Sequence, residues 1–179
     1  MMQRFARLLL LALSVGASVS PALAEETQKP NILRDVDFEQ RLDTQLPLDL
    51  MFRDESGRAV PLREYFGDKP VILSLAYYEC PMLCTLVLNG LTSALRALRF
   101  DIGKEFQVVT VSFDPSEGAE LAAAKKAALL KEYRRPGSEA GWHFLTGDEG
   151  SIRALTEAVG FKYAYDPATK QSAHAAGII

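Results

Sequence analysis

The chain has 179 residues, of which 48% are apolar and 24% charged, with a formal net charge of -3. That length suits about one domain on the usual scale of ~100–200 residues, and the apolar share excludes wholesale disorder. A negative chain leaves no basic footprint for nucleic acid, and 2 Cys with 2 His exclude a disulfide-rich scaffold or a large metal cluster.

Residues 1–24 read as a secretory signal. Arg4 and Arg7 form a positive start, Leu8 to Val15 is a short apolar run, and Ala22-Leu23-Ala24 is an A-x-A cleavage pattern. A membrane anchor is the alternative, but the run breaks at Gly16 and Pro21, well short of the ~20 apolar residues a spanning helix needs. No later stretch is long and apolar enough to span. The mature chain is therefore expected to be soluble and periplasmic, an oxidising setting in which paired thiols oxidise unless something reduces them or a metal holds them.

Residues 25–45 form a polar leader followed by a segment expected to dock on the domain through Ile32, Leu33, Phe38 and Leu42. Residues 46–179 carry the regular patterns. Leu48, Leu50 and Phe52 alternate with Asp49 and Met51, Asp54 to Gly57 is a turn, and Arg58 to Leu62 returns, which predicts a β-hairpin. Val71 to Tyr78 is almost continuously apolar, as in a strand buried on both faces. Leu88, Leu91, Leu95 and Leu98 then fall at helical spacing. A second buried strand is predicted at Gln107 to Phe113, a helix at Glu120 to Arg134, a strand at Trp142 to Leu145, a helix at Gly150 to Val159 and a strand at Phe161 to Tyr165. The alternation indicates an α/β sheet with helices on its faces. Ile178-Ile179 reads as the opening of a further strand, so the sequence is expected to be truncated at its C-terminus.

The chemistry centres on Cys80-Pro81-Met82-Leu83-Cys84, between the first buried strand and the Leu-striped helix. Pro81 suits the first helical position, which puts Cys80 near the N-cap and Cys84 one turn on. Four residues at 3.6 per turn separate the two side chains by only about 40° around the axis. The helix N-terminus favours thiolate, chiefly at Cys80. Three readings fit the pair. It is a structural disulfide or two buried thiols, although so small a loop restricts the unfolded chain little. It is a redox pair, although thioredoxin-type motifs have two intervening residues rather than three. Or it is a soft-metal site suited to copper. A third ligand could come from His143, which sits in a strand and reads as packing, or from His174, in the small-residue loop Gln171 to Gly177. Met82 offers a thioether but reads as packing. Asp114 precedes a helix and reads first as a cap or turn residue. Lys125, Lys126, Lys131, Arg134 and Arg135 read as a solvated helix face.

Four segments in order resemble the Sco/SenC family of copper-binding, thioredoxin-like proteins. Tyr77 to Cys84 is similar to its C-P-x-x-C motif, Val111 to Pro115 to its V-S-x-D-P segment, Trp142 to Gly147 to its W-x-F-L-T-G strand, and Gly160 to Tyr163 with His174 to its last helix-to-strand step and third ligand. The resemblance spans Leu46 to Ile179. It implies a thioredoxin-like fold and a copper site of Cys80, Cys84 and His174. It also implies a role in delivering copper to, or reducing the cysteines of, the binuclear copper centre of cytochrome c oxidase. The partner is then the copper-bearing oxidase subunit or a thiol-disulfide protein of the periplasm. Asp114 would contact the site's surroundings or a partner. Two departures from the family pattern stand beside the site: Met82-Leu83 replaces an acidic-plus-aliphatic pair, and Ala175 replaces a hydroxyl residue. A thiol-disulfide oxidoreductase, a peroxiredoxin-type peroxidase and a structural secreted domain are the competing functions.

Overall fold

The computed structural model describes residues 31–80 and 82–179. The expected signal segment, the polar leader at residues 25–30 and Pro81 lie outside the described residues.

The centre is a parallel sheet of β4 (Val71–Ala76), β5 (Gln107–Ser112) and β6 (Trp142–Leu145), in that spatial order. β5 lies between two strands and under helices, so Val108 to Ser112 are all buried, including Thr110 and Ser112, as its mostly apolar run predicts. Each parallel step needs a crossover. α1 (Leu83–Ala97) links β4 to β5, and α2 (Ala119–Tyr133) links β5 to β6. The two helices pack against each other, and α2 also packs on β6. α1 buries Cys84, Leu88, Leu91, Thr92 and Leu95, one stripe at helical spacing. Leu98, expected on that stripe, is instead the C-cap and 42% exposed.

The hairpin forms from β2 (Met51–Arg53) and β3 (Ala59–Pro61). Its turn closes on the Asp54 carboxylate, which accepts from Ser56 N at 2.9 Å and Arg58 N at 3.0 Å, with Gly57 at φ 85°. The hairpin covers the free edge of β6: Arg53 N donates to Thr146 O at 2.7 Å, and Phe144 N to the Glu55 carboxylate at 3.0 Å. Glu55 also pairs with Lys126, both side chains mostly buried. Lys126 thus leaves the expected solvated face because its partner sits under α2. Arg135 leaves it too, donating to the carbonyls of Arg96 and Leu98 at the end of α1.

After β6, α3 (Glu149–Ala158) leads to β7 (Phe161–Asp166), which turns back antiparallel into β8 (Gln171–His174). β1 (Asp37–Phe38) adds to the other edge of β7. Three polar or small residues open β8, so no apolar alternation announced it, and His174 is a strand residue paired with Tyr163 rather than part of a loop. Beyond it the chain crosses back, and Ile179 exchanges both backbone hydrogen bonds with Leu73 of β4, at 2.8 and 2.9 Å. The terminal pair is thus an antiparallel addition to the central sheet.

Candidate metal centre

The site lies where β4 gives way to α1. Tyr77, Tyr78 and Glu79 carry the chain from the sheet, and Cys80 N closes a turn onto Tyr77 O at 3.3 Å. The helix begins later than expected, with Met82 as N-cap at φ -141°. The reason is visible in the bonding. Cys84 N donates to Cys80 Sγ at 3.2 Å and Thr85 Oγ1 to Cys80 O at 3.1 Å, so Cys80 supplies acceptors to the first helical turn from just outside it. Both cysteines are free and buried.

His174 comes to them from the end of β8. Its Nε2 is 3.1 Å from Cys84 Sγ, and its Nδ1 is 2.7 Å from Ala175 O. A carbonyl only accepts, so the proton belongs on Nδ1 and the Nε2 lone pair faces the sulfurs. That orientation, fixed by a backbone acceptor, is the arrangement of a metal-ligating imidazole. The ring is caged by Phe113, Tyr77 and Phe161, with centroids at 5.1, 5.9 and 6.2 Å. One ligand atom from each of Cys80, Cys84 and His174 lies within 4.8 Å of the others.

The two thiols differ. Burial disfavours the Cys80 thiolate, but the N–H groups of Cys84 and Met82 and the Tyr77 hydroxyl outweigh it, and Cys80 titrates below the usual thiol range. Cys84 is more deeply buried and beside the Cys80 charge, which pushes it up to about 12. Burial likewise holds His174 below its ordinary value, against the pull of Ala175 O. In the metal-free state, then, Cys84 is a thiol donating to a neutral imidazole. Displacing that proton leaves two sulfurs and one nitrogen converging on a dry point, a donor set that suits copper.

The other candidates fall elsewhere. His143 stacks on Tyr65 with ring centroids 4.4 Å apart, which is the packing role its strand position suggested. Asp114 spends its carboxylate in its own turn, accepting from Ser116 N at 2.8 Å and Ser116 Oγ at 2.6 Å. It does not cap α2, whose N-cap is Gly118. The acid that reaches the cysteine turn is Glu117: Tyr78 N and Glu79 N both donate to it at 2.8 Å, and Ser112 Oγ at 2.5 Å. Burial pushes its carboxyl up, and these three donors oppose that. Only its place three residues after Asp114, at a strand-to-helix step, could have drawn notice to it.

An α/β domain with a buried dithiol at the exit of a parallel strand, met by an imidazole from a later hairpin, defines a thioredoxin-like protein with a soft-metal donor set. Comparison with known proteins makes this specific: the SCO1/SenC family model matches residues 42–179, and the chain belongs to that family. Among solved structures, a protein from Aquifex aeolicus VF5 is similar at 27% identity and TM-score 0.64, over 78% of this chain and 77% of that one. Arabidopsis thaliana ScoI with copper bound is similar at 19% identity and TM-score 0.57, over 72% and 76%. Bradyrhizobium japonicum ScoI with copper bound follows at 22% and 0.54, over 72% and 78%. These last two bear on the fold. No curated protein matches the chain. Among the described residues, no helix is long and apolar enough to cross a membrane.

Proposed function

We propose that the protein is a periplasmic copper metallochaperone, which takes copper as cargo through Cys80, Cys84 and His174 and passes it to the binuclear copper centre of cytochrome c oxidase. The observation that carries this reading is the convergence of three buried donors within 4.8 Å, on elements 90 residues apart in sequence. Family membership and the thiolate–imidazole chemistry support it. This chain's own residues do three things: they exclude water, hold the imidazole in one tautomer, and favour the thiolate at Cys80 more than at Cys84.

Anaerobic titration of the reduced protein with copper, with thiol counting, tests the proposal. One copper per chain is expected. Cys80→Ser, Cys84→Ser and His174→Ala should each lose or sharply weaken Cu(II) binding. A His174→Ala protein with the wild-type absorption and spin-resonance spectra overturns the histidine assignment.

The asymmetry of the two thiols favours a second reading, a thiol-disulfide oxidoreductase. The Cys80 thiolate would attack a partner disulfide, releasing one partner thiolate, which takes up a proton, and forming a mixed disulfide. Cys84, giving its proton to His174 Nε2, would then displace the second partner sulfur. The product is a Cys80–Cys84 disulfide and a partner reduced by two electrons. Steady partner reduction, with an external thiol reductant and after rigorous copper removal, separates this reading from the first.

A further inference from the structure

The segment that presents Cys80 is held from outside. β4 ends at Ala76 and α1 begins at Leu83, so the N–H groups of Tyr78 and Glu79 fall between elements. Both end on one carboxylate 38 and 39 residues away: Tyr78 N donates to Glu117 Oε2 and Glu79 N to Oε1, each at 2.8 Å. Ser112 Oγ, at the end of β5, adds a third bond at 2.5 Å. Glu117 is only 9% exposed, and a carboxylate is costly to bury without such donors. It has no ion-pair partner among the described residues, and it does not cap α2, whose N-cap is Gly118. Two of its three bonds go to the two residues that lead into Cys80.

We propose that Glu117 is the positioning residue of this centre: by gripping the Tyr78 and Glu79 amides it fixes the turn from which the Cys80 sulfur reaches Cys84 and His174. The inference rests on the copper-binding reading for its biological meaning, but the grip itself belongs to the metal-free protein. A carboxylate suits this task because it accepts at both ends. An amide of the same size accepts at one end only and sets an NH2 against a backbone N–H at the other.

Glu117→Gln is therefore the informative variant, compared with Ser112→Ala, which removes one donor but leaves both amide contacts. Ile102→Ala serves as a destabilising control at the opposite end of the sheet, before the start of β5. Glu117→Gln should weaken Cu(II) binding about 10–100-fold, as loss of groups that orient metal ligands does, and change the spin-resonance spectrum. It should also speed hydrogen exchange at the Tyr78 and Glu79 amides. Ser112→Ala should show the same changes in smaller measure, and Ile102→Ala neither. A Glu117→Gln protein with wild-type affinity and spectrum overturns the proposal, as does an equal loss in Ile102→Ala. Should Glu117→Gln not fold, Ser112→Ala decides: unchanged copper affinity and amide exchange overturn it. If the wild-type protein takes up no copper, the chaperone reading fails. Glu117 is then judged on amide exchange at Tyr78 and Glu79 and on the rate of Cys80 alkylation, and unchanged values in Glu117→Gln overturn its role.

Discussion

Phe113→Leu tests whether the aromatic cage holds His174 in place. Phe113 follows β5, is 1% exposed, and meets the rings of Tyr163, His174, Phe161 and Tyr77 at centroid distances of 4.9, 5.1, 5.2 and 5.5 Å. A leucine fills much of the same volume, and such swaps cost under about 1.5 kcal/mol from packing alone. The lost aromatic pairs add to this. Each is worth about 0.5–1.5 kcal/mol, but the four rings share one cage and do not sum independently. A total of about 1.5–3 kcal/mol follows, which for a domain of this size lowers Tm by roughly 3–12 °C. Urea unfolding of the metal-free protein gives the free energy, and a parallel copper titration reads the site. Affinity should fall along with stability, because the ring that loses its wall is the proposed third ligand. A Phe113→Leu protein within 0.5 kcal/mol of wild type and with unchanged copper affinity refutes the cage argument.

Three further outcomes are expected. Tyr78→Phe removes a buried hydroxyl that donates to the carbonyls of Thr110 and Leu145 at 3.0 and 2.8 Å. It should cost about 1–2 kcal/mol in urea unfolding and leave copper uptake intact, since the Tyr78 N–H remains. Gly160→Ala should cost about 2 kcal/mol or more. Gly160 sits at φ 72° and a Cβ there would stand 2.1 Å from Glu39 O, so a mild effect would contradict the seating of β1 against β7. Burial and the Lys126 charge hold His143 below its ordinary value against the nearby acids, so the unfolded chain binds its proton more tightly. That contribution to stability is fully present above pH about 6.5 and is lost as pH falls through that value toward the depressed folded pKa. His143→Phe should flatten this part of the stability profile, and an unchanged slope would show that the ring titrates as freely folded as unfolded.

The elements legible in the sequence are those whose own side chains carry the pattern of their burial. β4 and β5 are buried on both faces and read as apolar runs, and α1 shows its stripe from Cys84 to Leu95. β8 was not legible, because Gln171-Ser172-Ala173-His174 owes its strand to pairing with β7 rather than to its own side chains. The cysteine pair could be read from local spacing, but the start of α1 could not. Met82, not Cys80, is the N-cap, because the Cys80 sulfur and carbonyl serve the helix from a preceding turn. Asp114 drew notice as a helix-opening acid. Glu117 does the reaching because the fold brings the end of β5 beside the end of β4, a proximity of residues some forty positions apart that no local pattern encodes.

The return of Ile178 and Ile179 to β4 has a consequence for how the imidazole moves. His174 is staked on one side by its pairing to Tyr163 and, four residues on, by the bridge of Ile178 to Ser74. So short a tether, about 14 Å at full stretch, limits how far the His174 backbone can travel while both pairings hold. Moving the His174 backbone away from Cys84 must therefore open either the β7–β8 ribbon or the seam along β4.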